Sequence, residues 1–366
     1  MKIIQIVDVR WYNACADFAI QQALGLLRLG HEVLLMANPG SPPAARARKA
    51  GLDVSEDVNF GSLNIIRSVR RLKEVAEDFR PDIVFAHRGE SHLIGALASR
   101  RMGCPIARFR GDVRSPRGHI FSRMLNDKMT HGIAVSTRRL KNEYESRFRL
   151  NGIPLTVIYP GIDSSRFQMT KSRVELKSQF GLNPEWKVIG IVGRLSPVKG
   201  HRYFLKAAKI VSARSPHVQF VIAGEDAQIS ALELEEDAKN LGLANLHLFG
   251  LVENIEDLIS SFDIGVIASV GSEMICRVLM EYFAAGIGVV ATRVNQLEEL
   301  INLSGAGLMV PSGDSQAMAE AILELIEDES KRAAAATAGR IWVGANGTLE
   351  RLGEDTEAFL RQVMDG

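Results

Sequence analysis

Short apolar runs alternate with amphipathic segments along the whole chain. Twelve runs are rich in branched side chains and stop at glycine, proline or polar residues, which is typical of strands. The segments between them, such as residues 14–29 and 62–79, carry apolar positions at helical spacing. This alternation predicts parallel sheets with helices on both faces, so we expect an α/β fold. The predicted strands are KIIQIVDV, EVLLMAN, DIVFAH, PIARFR, GIAVS and TVIYPG in the first half, and KVIGIVG, VQFVIAG, LHLFG, IGVIAS, GVVAT and GLMV in the second.

The pattern restarts after residue 165, and each half is long enough for a doubly wound domain. We therefore predict domains at residues 1–165 and 166–344, with a boundary inside residues 159–168, where proline, glycine and serine interrupt the pattern. Residues 345–366 are predicted to form a helix that docks on structure already built; its apolar positions are Leu349, Leu352, Phe359, Leu360 and Val363. Open parallel sheets bind ligands at the carboxyl ends of their strands, so we expect a site in a cleft between the domains.

Composition narrows the class of protein. Of the 366 residues, 46% are hydrophobic and 24% are charged, which is ordinary for a soluble globular chain. No apolar run approaches the ~18 residues of a transmembrane helix, and the N-terminal MKIIQIVDVRWYN turns polar too early for a signal peptide. Three widely spaced cysteines, Cys15, Cys104 and Cys276, predict a reducing compartment and neither a disulfide framework nor a zinc site. The expected location is the cytoplasm.

Charge is distributed unevenly although the net charge is only +1. Residues 1–150 hold 25 Lys and Arg against 15 Asp and Glu, and the remaining residues hold 19 against 28. A basic half is typical of a protein that faces an anionic partner, such as phospholipid, nucleic acid or a phosphorylated substrate. A solvated basic surface without a partner would give the same count.

A first candidate site follows the strand KVIGIVG, in the stretch RLSPVKG. Arg194 and Lys199 lie there in a predicted turn, and a helix is expected to start near Gly200. A guanidinium fork and an ammonium group suit a diphosphate, and a helix N-terminus adds partial positive charge. The glycine spacings of the P-loop and of the dinucleotide-binding fingerprint are both absent from the sequence. Two solvated loop cations would produce the same pattern.

A second candidate site follows the strand IGVIAS, in the stretch GSEMICRVLMEYFAAG. Ser272 is predicted to cap a helix, with Glu273 in the first turn and Glu281 about 12 Å further along, at ~1.5 Å per residue. The amides of Met274 and Ile275 would lie between them, where phosphate oxygens can dock. A carboxylate accepts hydrogen bonds from vicinal hydroxyls, so one glutamate is expected to hold a ribose and the other a sugar beyond the diphosphate.

Five segments, in their order along the chain, resemble the GT-B glycosyltransferases of the large retaining family 4: GRLSPVKG, VIAGED, LHLFGLVENIEDLISSFDIGVIAS, SEMICRVLMEYFAAGIGVVAT and GAGLMVPSGDSQAMAEAI. The resemblance covers residues 187–325 well. It implies two Rossmann-like, doubly wound domains that face each other across a cleft. Residues 1–165, completed by the helix at 345–366, would bind the acceptor, and residues 166–344 would bind a nucleotide-sugar donor.

The resemblance also implies roles for the donor-binding residues, which are Arg194, Lys199, Glu273, Met274, Ile275 and Glu281. The two cations would bind the diphosphate, the first glutamate the donor sugar and the second the ribose, while the two amides meet the phosphates. The Phe-Gly that usually follows the first glutamate is absent, so donor choice is expected to be decided there. Arg277 is either a further cation near the diphosphate or a surface residue.

The first half resembles the family less closely. The family's glycine pair after the first strand is replaced by Asn13 and Ala14. Many members place a histidine after the fifth strand, where this chain has RFRGDVR, with His119 a few residues later. We count Asp112 among the catalytic candidates, with Arg194, Lys199 and Glu273. The acceptor-side candidates are His87, Arg110 and His119, although a satisfied histidine at a strand end would also explain His87.

The resemblance implies transfer of a sugar from a nucleotide-diphosphate sugar to a hydroxyl of a glycan or glycolipid, in the synthesis of lipopolysaccharide or another cell-surface glycan. Charge develops on the departing diphosphate, and preorganised positive groups aimed at that charge lower the barrier. We therefore expect no metal and no cofactor. Retention in the family is explained by front-face attack assisted by the leaving phosphate, so no protein nucleophile is expected.

The basic first half predicts an anionic acceptor at the inner face of a membrane. SPPAARARKAG and IIRSVRRLKEV are the segments expected to contact anionic lipid, and no nucleic-acid partner is expected. Two alternatives stay open: a nucleotide-sugar epimerase on the same fold, and an inactive carbohydrate-binding relative.

Overall fold

The computed structural model of the chain describes residues 1–60, 64–168, 171–271 and 273–366. The chain divides into two compact units. Unit 1 comprises Met1–Gly161 and Asn346–Gly366, and unit 2 comprises Ile162–Ala345. Each unit is built on one parallel sheet with helices packed against it.

The described part of unit 1 contains seven strands: β1 (Lys2–Val7), β2 (Glu32–Ala37), β3 (Asp53–Ser55), β4 (Ile83–Ala86), β5 (Ile106–Arg110), β6 (Gly132–Val135) and β7 (Leu155–Val157). Their order in the sheet is β3-β2-β1-β4-β5-β6-β7, and all neighbours are parallel. The strand order reverses between β1 and β4. Doubly wound sheets bind ligands outside the carboxyl ends of the strands at such a switch point.

The described part of unit 2 contains six strands: β8 (Lys187–Val192), β9 (Val218–Ala223), β10 (Leu246–Phe249), β11 (Ile264–Ile267), β12 (Gly288–Thr292) and β13 (Gly307–Val310). Their order is β10-β9-β8-β11-β12-β13, again with parallel neighbours. Here the order reverses between β8 and β11. The loops after these two strands carry both donor-site candidates, so the topology brings them to the same edge of one sheet.

Fifteen α-helices connect these strands within the described residues: α1 (Ala14–Arg28), α2 (Pro42–Lys49), α3 (Ile65–Phe79), α4 (Gly89–Met102), α5 (Ile120–Lys128), α6 (Arg138–Arg147), α7 (Arg173–Gln179), α8 (His201–Arg214), α9 (Ala231–Leu241), α10 (Ile255–Ser260), α11 (Arg277–Ala285), α12 (Asn295–Ser304), α13 (Ser315–Glu327), α14 (Glu329–Asn346) and α15 (Leu349–Asp365). Short 3-10 helices lie at Ser164–Phe167 and Pro197–Lys199. Strand side chains such as Ile4 and Ile189 are fully buried beneath these helices, and each contributes about 1.5–3 kcal/mol to folding.

Helix α15 belongs to unit 1 although it follows unit 2 in the sequence. The five apolar positions predicted for it are all buried. The helix approaches α1 closely, because a Cβ added at Gly25 would lie 2.9 Å from the backbone nitrogen of Gly353. The side-chain amide of Gln22 also donates a buried hydrogen bond of 2.8 Å to Thr356. Small residues and one polar pair therefore fix where α15 docks.

All twelve predicted strands are present, and the doubly wound parallel arrangement is confirmed. Strand β3 was missed because it is a three-residue edge strand with polar ends. The single helix predicted at 345–366 is wrong in its start, since α14 runs to Asn346 and Thr348 caps a new helix by accepting a 3.0 Å hydrogen bond from the amide of Arg351. Residues 62 and 63 of the helix predicted at 62–79 lie outside the described residues.

Candidate active site

The loop after β8 holds Lys199 in a defined position. A 3-10 turn at Pro197–Lys199 leads to Gly200, where φ is 75° and α8 begins at the next residue, so the helix starts where the sequence predicts. A Cβ at Gly200 would lie 2.0 Å from the carbonyl oxygen of Ala268, just beyond β11, so only glycine fits. The amide of Val270 donates a 2.8 Å hydrogen bond to the carbonyl of Val198. These contacts tie the loop after β8 to the loop after β11.

Glu273 is the most constrained of the predicted site residues. It is 4% exposed, and its backbone φ of 76° lies in the left-handed region that a side chain rarely adopts. Such strain costs about 1–3 kcal/mol and is concentrated at functional sites. Its carboxylate forms an ion pair with the Lys199 ammonium group and accepts a 2.6 Å hydrogen bond from the Ser269 hydroxyl.

The ion pair between the buried Glu273 and the half-buried Lys199 is charged on both sides. Burial alone would raise the pKa of Glu273, but the charge and hydrogen bond of Lys199, with the bond from Ser269, outweigh it and hold that pKa below its usual range. Burial likewise opposes the charge on Lys199, yet the carboxylate of Glu273 raises the pKa of Lys199 above its usual range. A charged acceptor and a charged donor therefore lie side by side at the switch point of unit 2.

The helix predicted to start at Ser272 begins instead at Arg277, so Glu273 is not in its first turn. Ser272 itself lies outside the described residues. Met274 and Ile275 are buried in the loop ahead of the helix. The loop is held from α12 by Gln296. Its side-chain oxygen accepts a 2.8 Å hydrogen bond from the backbone amide of Cys276, and its backbone amide donates a 3.0 Å hydrogen bond to the carbonyl of Glu273. The estimate of 12 Å along one helix from Glu273 to Glu281 is therefore wrong.

Glu281 lies on α11 and is 4% exposed. Its Oε1 is 2.8 Å from Nε of Arg277, one turn earlier. Neither interpretation of Arg277, as a further cation near the diphosphate or as a surface residue, included this pairing with a buried carboxylate. Arg194 is exposed, while its backbone carbonyl accepts a 3.1 Å hydrogen bond from the His201 ring at the start of α8. The roles of these residues towards a donor stay predictions.

In unit 1, His87 is buried at the end of β4, 5.0 Å from Phe85 and 5.6 Å from Phe109 between ring centroids. Its Nε2 accepts a 2.9 Å hydrogen bond from the Gln5 amide, and Nδ1 has no partner among the described residues. Burial lowers the pKa of His87 to about 3, so the ring is neutral at physiological pH.

The other two acceptor-side candidates and the catalytic candidate Asp112 share a cavity of about 480 Å³ at the carboxyl end of β5, which we call the arginine pocket. Arg110, Asp112 and His119 line it, and Nε of Arg110 lies 3.8 Å from Asp112. His119 caps α5, because its Nδ1 accepts a 3.2 Å hydrogen bond from the amide of Ser122. The arginine pocket also contains four arginines that the sequence interpretation left out: Arg88, Arg108, Arg114 and Arg117. The spacing of the two arginines in the strand IARFR was a signal for this pocket. Residues two positions apart in a strand point to the same face of the sheet, so Arg108 and Arg110 could have been expected to lie together.

The part of the chain that the structure describes contains no cluster of three His, Cys, Asp or Glu side chains placed to hold a metal ion. None of the helices formed by these residues has the length and apolarity needed to cross a bilayer.

Two family profiles match the chain: Glycosyltransferase Family 4 over residues 17–166, and Glycosyl transferases group 1 over residues 186–328. The chain is 30% identical over 218 residues to a lipopolysaccharide core biosynthesis mannosyltransferase of Rhizobium meliloti. The aligned region covers 58% of this chain and 62% of that protein. It is 29% identical over 236 residues to a D-inositol 3-phosphate glycosyltransferase of Corynebacterium urealyticum, covering 62% of this chain and 55% of that protein. The chain thus matches less than two thirds of the length of each relative.

The crystal structure of the Anabaena protein HepE in complex with UDP is similar to this chain with a TM-score of 0.86 and 21% identity, covering 99% of this chain and 100% of that chain. At this identity the likeness establishes the fold, and the two parallel sheets are those of GT-B glycosyltransferases. The two profiles cover most of the chain between them, the first mainly over unit 1 and the second within unit 2. The chain therefore belongs to the group 1 glycosyltransferases of family 4.

Proposed function

We propose that this protein transfers a sugar from a nucleotide-diphosphate sugar to a hydroxyl of a glycan or glycolipid, with unit 2 binding the donor and unit 1 the acceptor. The observation that carries the proposal is the ion pair between the half-buried Lys199 and the buried, strained Glu273 at the switch point of a parallel sheet. The names of the relatives support a role in lipopolysaccharide or other cell-surface glycan synthesis.

The roles of the donor-site residues follow from their charges. Lys199, the exposed Arg194 and the N-terminus of α8 lie in or beside one loop, where they can stabilise the charge that develops on the departing diphosphate. Glu273 can accept hydrogen bonds from hydroxyls of the transferred sugar, and Glu281 from those of the ribose. The strain at Glu273 supports a role that depends on its position.

In the proposed reaction, the bond from the sugar's anomeric carbon to the diphosphate oxygen breaks as a bond to the acceptor oxygen forms on the same face. The acceptor's proton passes to the leaving phosphate, so the anomeric configuration is retained without a protein nucleophile. Positive side chains would neutralise the diphosphate, so the reaction is proposed to need no metal or cofactor. Burial of Glu273 supports a site that excludes water and limits donor hydrolysis.

Donor binding is tested by thermal unfolding with a panel of nucleotide diphosphates and nucleotide sugars. UDP is expected to raise the midpoint, because a ligand of the folded state stabilises by RT ln(1 + [L]/Kd). Glu281→Gln should weaken UDP binding about 10- to 100-fold, since it removes a charged acceptor worth about 1.5–3 kcal/mol. Glu320→Gln on α13, which removes another arginine-paired glutamate, should not. No shift with any nucleotide would overturn the donor assignment.

The reaction itself is tested by incubating the protein with donor, with and without an acceptor and with and without EDTA. Transfer that requires acceptor and persists in EDTA is expected. An isomer formed from donor alone would favour the epimerase, and nucleotide binding without turnover would favour the inactive relative.

We further propose that the acceptor is anionic and reached at the inner face of a membrane. The phosphate named in the Corynebacterium relative's substrate and the arginine pocket support the first part. Of the surfaces predicted to contact lipid, α3 is largely neutralised by its own acidic residues, since Glu74 pairs with both Arg70 and Arg71. Helix α5, beside the arginine pocket, instead exposes Ile120 and Phe121, which favours an interfacial role.

Membrane contact predicts that the protein floats with vesicles of anionic lipid more than with neutral ones. Ile120→Ser should reduce flotation several-fold, because it removes an apolar side chain that is 88% exposed. Ile66→Ser on α3 is the matched control, since Ile66 is 87% exposed. Equal flotation with both lipids, or equal loss in both variants, would contradict contact through α5.

A further inference from the structure

Arg108, on β5 at the base of the arginine pocket, is a buried cation without a carboxylate partner among the described residues. It is 6% exposed. One of its terminal nitrogens lies 3.2 Å from Nδ1 of His92, and its Nε has no hydrogen-bond partner among the described residues. A buried charge is normally paired, since removing it from water is costly.

His92 does not supply the missing negative charge. Its Nε2 lies 2.7 Å from the Thr130 hydroxyl, which itself donates 2.7 Å to the carbonyl of Leu125. Nε2 must therefore be the donor, which leaves Nδ1 as the acceptor for the Arg108 guanidinium. Burial, reinforced by the charges of Arg108 and Arg110, lowers the pKa of His92, so the ring stays neutral. The guanidinium is oriented by this chain of hydrogen bonds without being neutralised.

The rest of the arginine pocket adds to the imbalance. Five arginines line it against two carboxylates, those of Glu90 and Asp112, which leaves an excess of three positive charges. Arg110 is also held in place, because one of its terminal nitrogens donates 2.6 Å to the carbonyl of Arg114 and its guanidinium lies 5.9 Å from the centre of the Tyr144 ring. Its Nε forms no hydrogen bond within the described residues. Two oriented guanidinium groups thus retain donor capacity in one cavity.

We propose that the arginine pocket binds a phosphoryl group of the acceptor, with Arg108 as its innermost contact. A phosphate monoester carries about 1.5 to 2 negative charges and three acceptor oxygens, so it matches the excess charge and several guanidinium forks better than a single carboxylate does. The cavity of about 480 Å³ leaves room for the sugar or polyol that carries the phosphate. This inference rests on the proposed function, because it takes unit 1 as the acceptor unit.

The test measures thermal unfolding of the full chain, with UDP present at saturation to fill the donor site. Inorganic phosphate and glucose 6-phosphate are titrated at constant ionic strength. Wild type is expected to gain stability with both, and Arg108→Met to lose that gain completely. Without phosphate, the midpoint of Arg108→Met should equal or exceed that of wild type, because the variant removes an unpaired buried charge. A purely structural arginine would instead lower the midpoint when replaced.

Two controls keep the result interpretable. Arg114→Gln at the exposed rim should weaken phosphate binding several-fold without affecting folding, which covers the case in which Arg108→Met does not fold. Arg332→Met replaces a buried arginine of unit 2 that donates 2.6 Å to the carbonyl of Leu325, and it should keep the full phosphate response. Equal phosphate responses in wild type, Arg108→Met and Arg114→Gln would overturn the proposal.

A second experiment distinguishes two sources of the phosphoryl group, a lipid headgroup and a soluble phosphorylated acceptor. Vesicles containing phosphatidic acid are compared with vesicles of phosphatidylcholine alone. Binding to the former that requires Arg108, with no response to glucose 6-phosphate, would assign a lipid headgroup, and the opposite result would assign a soluble phosphorylated acceptor. If phosphate gives no shift while UDP still does, this inference fails and the proposed function stands. If no nucleotide of the donor panel gives a shift either, the proposed function fails as well.

Discussion

Lys199→Met is expected to destabilise the protein by about 3–5 kcal/mol and to remove transferase activity. The substitution leaves the carboxylate of Glu273, whose side chain is 3% exposed, without its counter-charge. It also removes a cation proposed to neutralise the leaving diphosphate, so UDP affinity should fall at least tenfold. Chemical denaturation followed by fluorescence measures the first effect, and titration with UDP measures the second.

The double variant Lys199→Met with Glu273→Gln is the control for this prediction. It removes both charges of the pair, so most of the lost stability should return while activity does not. A double variant as unstable as Lys199→Met alone would mean that the ion pair does not set the stability of this loop.

The stability difference between wild type and the double variant should depend on pH with a defined sign. The lowered pKa of Glu273 means that its contribution is present above the unfolded value of about 4.3 and is lost as the pH falls through the folded value. The raised pKa of Lys199 means that its contribution is present below about 10.4 and is lost as the pH rises through the folded value. The difference should therefore be constant between about pH 5 and pH 10 and shrink on both sides.

Glu273→Gln alone is expected to lower kcat about 10- to 100-fold while leaving UDP affinity nearly unchanged. The amide keeps the size of the side chain but loses a charged acceptor worth about 1.5–3 kcal/mol, and this acceptor is proposed to contact the transferred sugar and not the nucleotide. Steady-state kinetics with saturating donor measures kcat, and titration with UDP measures affinity.

The comparison with Glu281→Gln makes this prediction specific. Glu281→Gln should lower the affinity for UDP, whereas Glu273→Gln should not. If both variants lower the affinity for UDP to the same extent, the separate assignment of the two glutamates to sugar and ribose is wrong.

The sequence was sufficient for twelve of the thirteen described strands because buried parallel strands are continuous apolar runs, whereas the edge strand β3, with its polar ends, lacks that signal. It also placed each candidate loop directly after a strand, but that these two strands flank a switch point follows from the strand order of the structure. The start of α11 was not predictable from local pattern. MICRV continues the helical spacing, and the loop ahead of it is fixed by Gln296, which comes from a later helix. The spacing in IARFR indicates that Arg108 and Arg110 share one face of the strand, but not that Arg108 is oriented by His92 on α4, which is itself hydrogen-bonded to Thr130.

The placement of α15 has a consequence for how the protein is made. Unit 1 is assembled from two stretches of chain that are separated by the whole of unit 2. During synthesis, residues 1–161 leave the ribosome first, but the surface that receives Phe359 and Val363 beside Gly132 stays open until unit 2 has also emerged. Domains usually fold in the order in which they are translated. In this protein unit 2 can complete its core before unit 1 does. Chaperones are therefore expected to bind the incomplete unit 1.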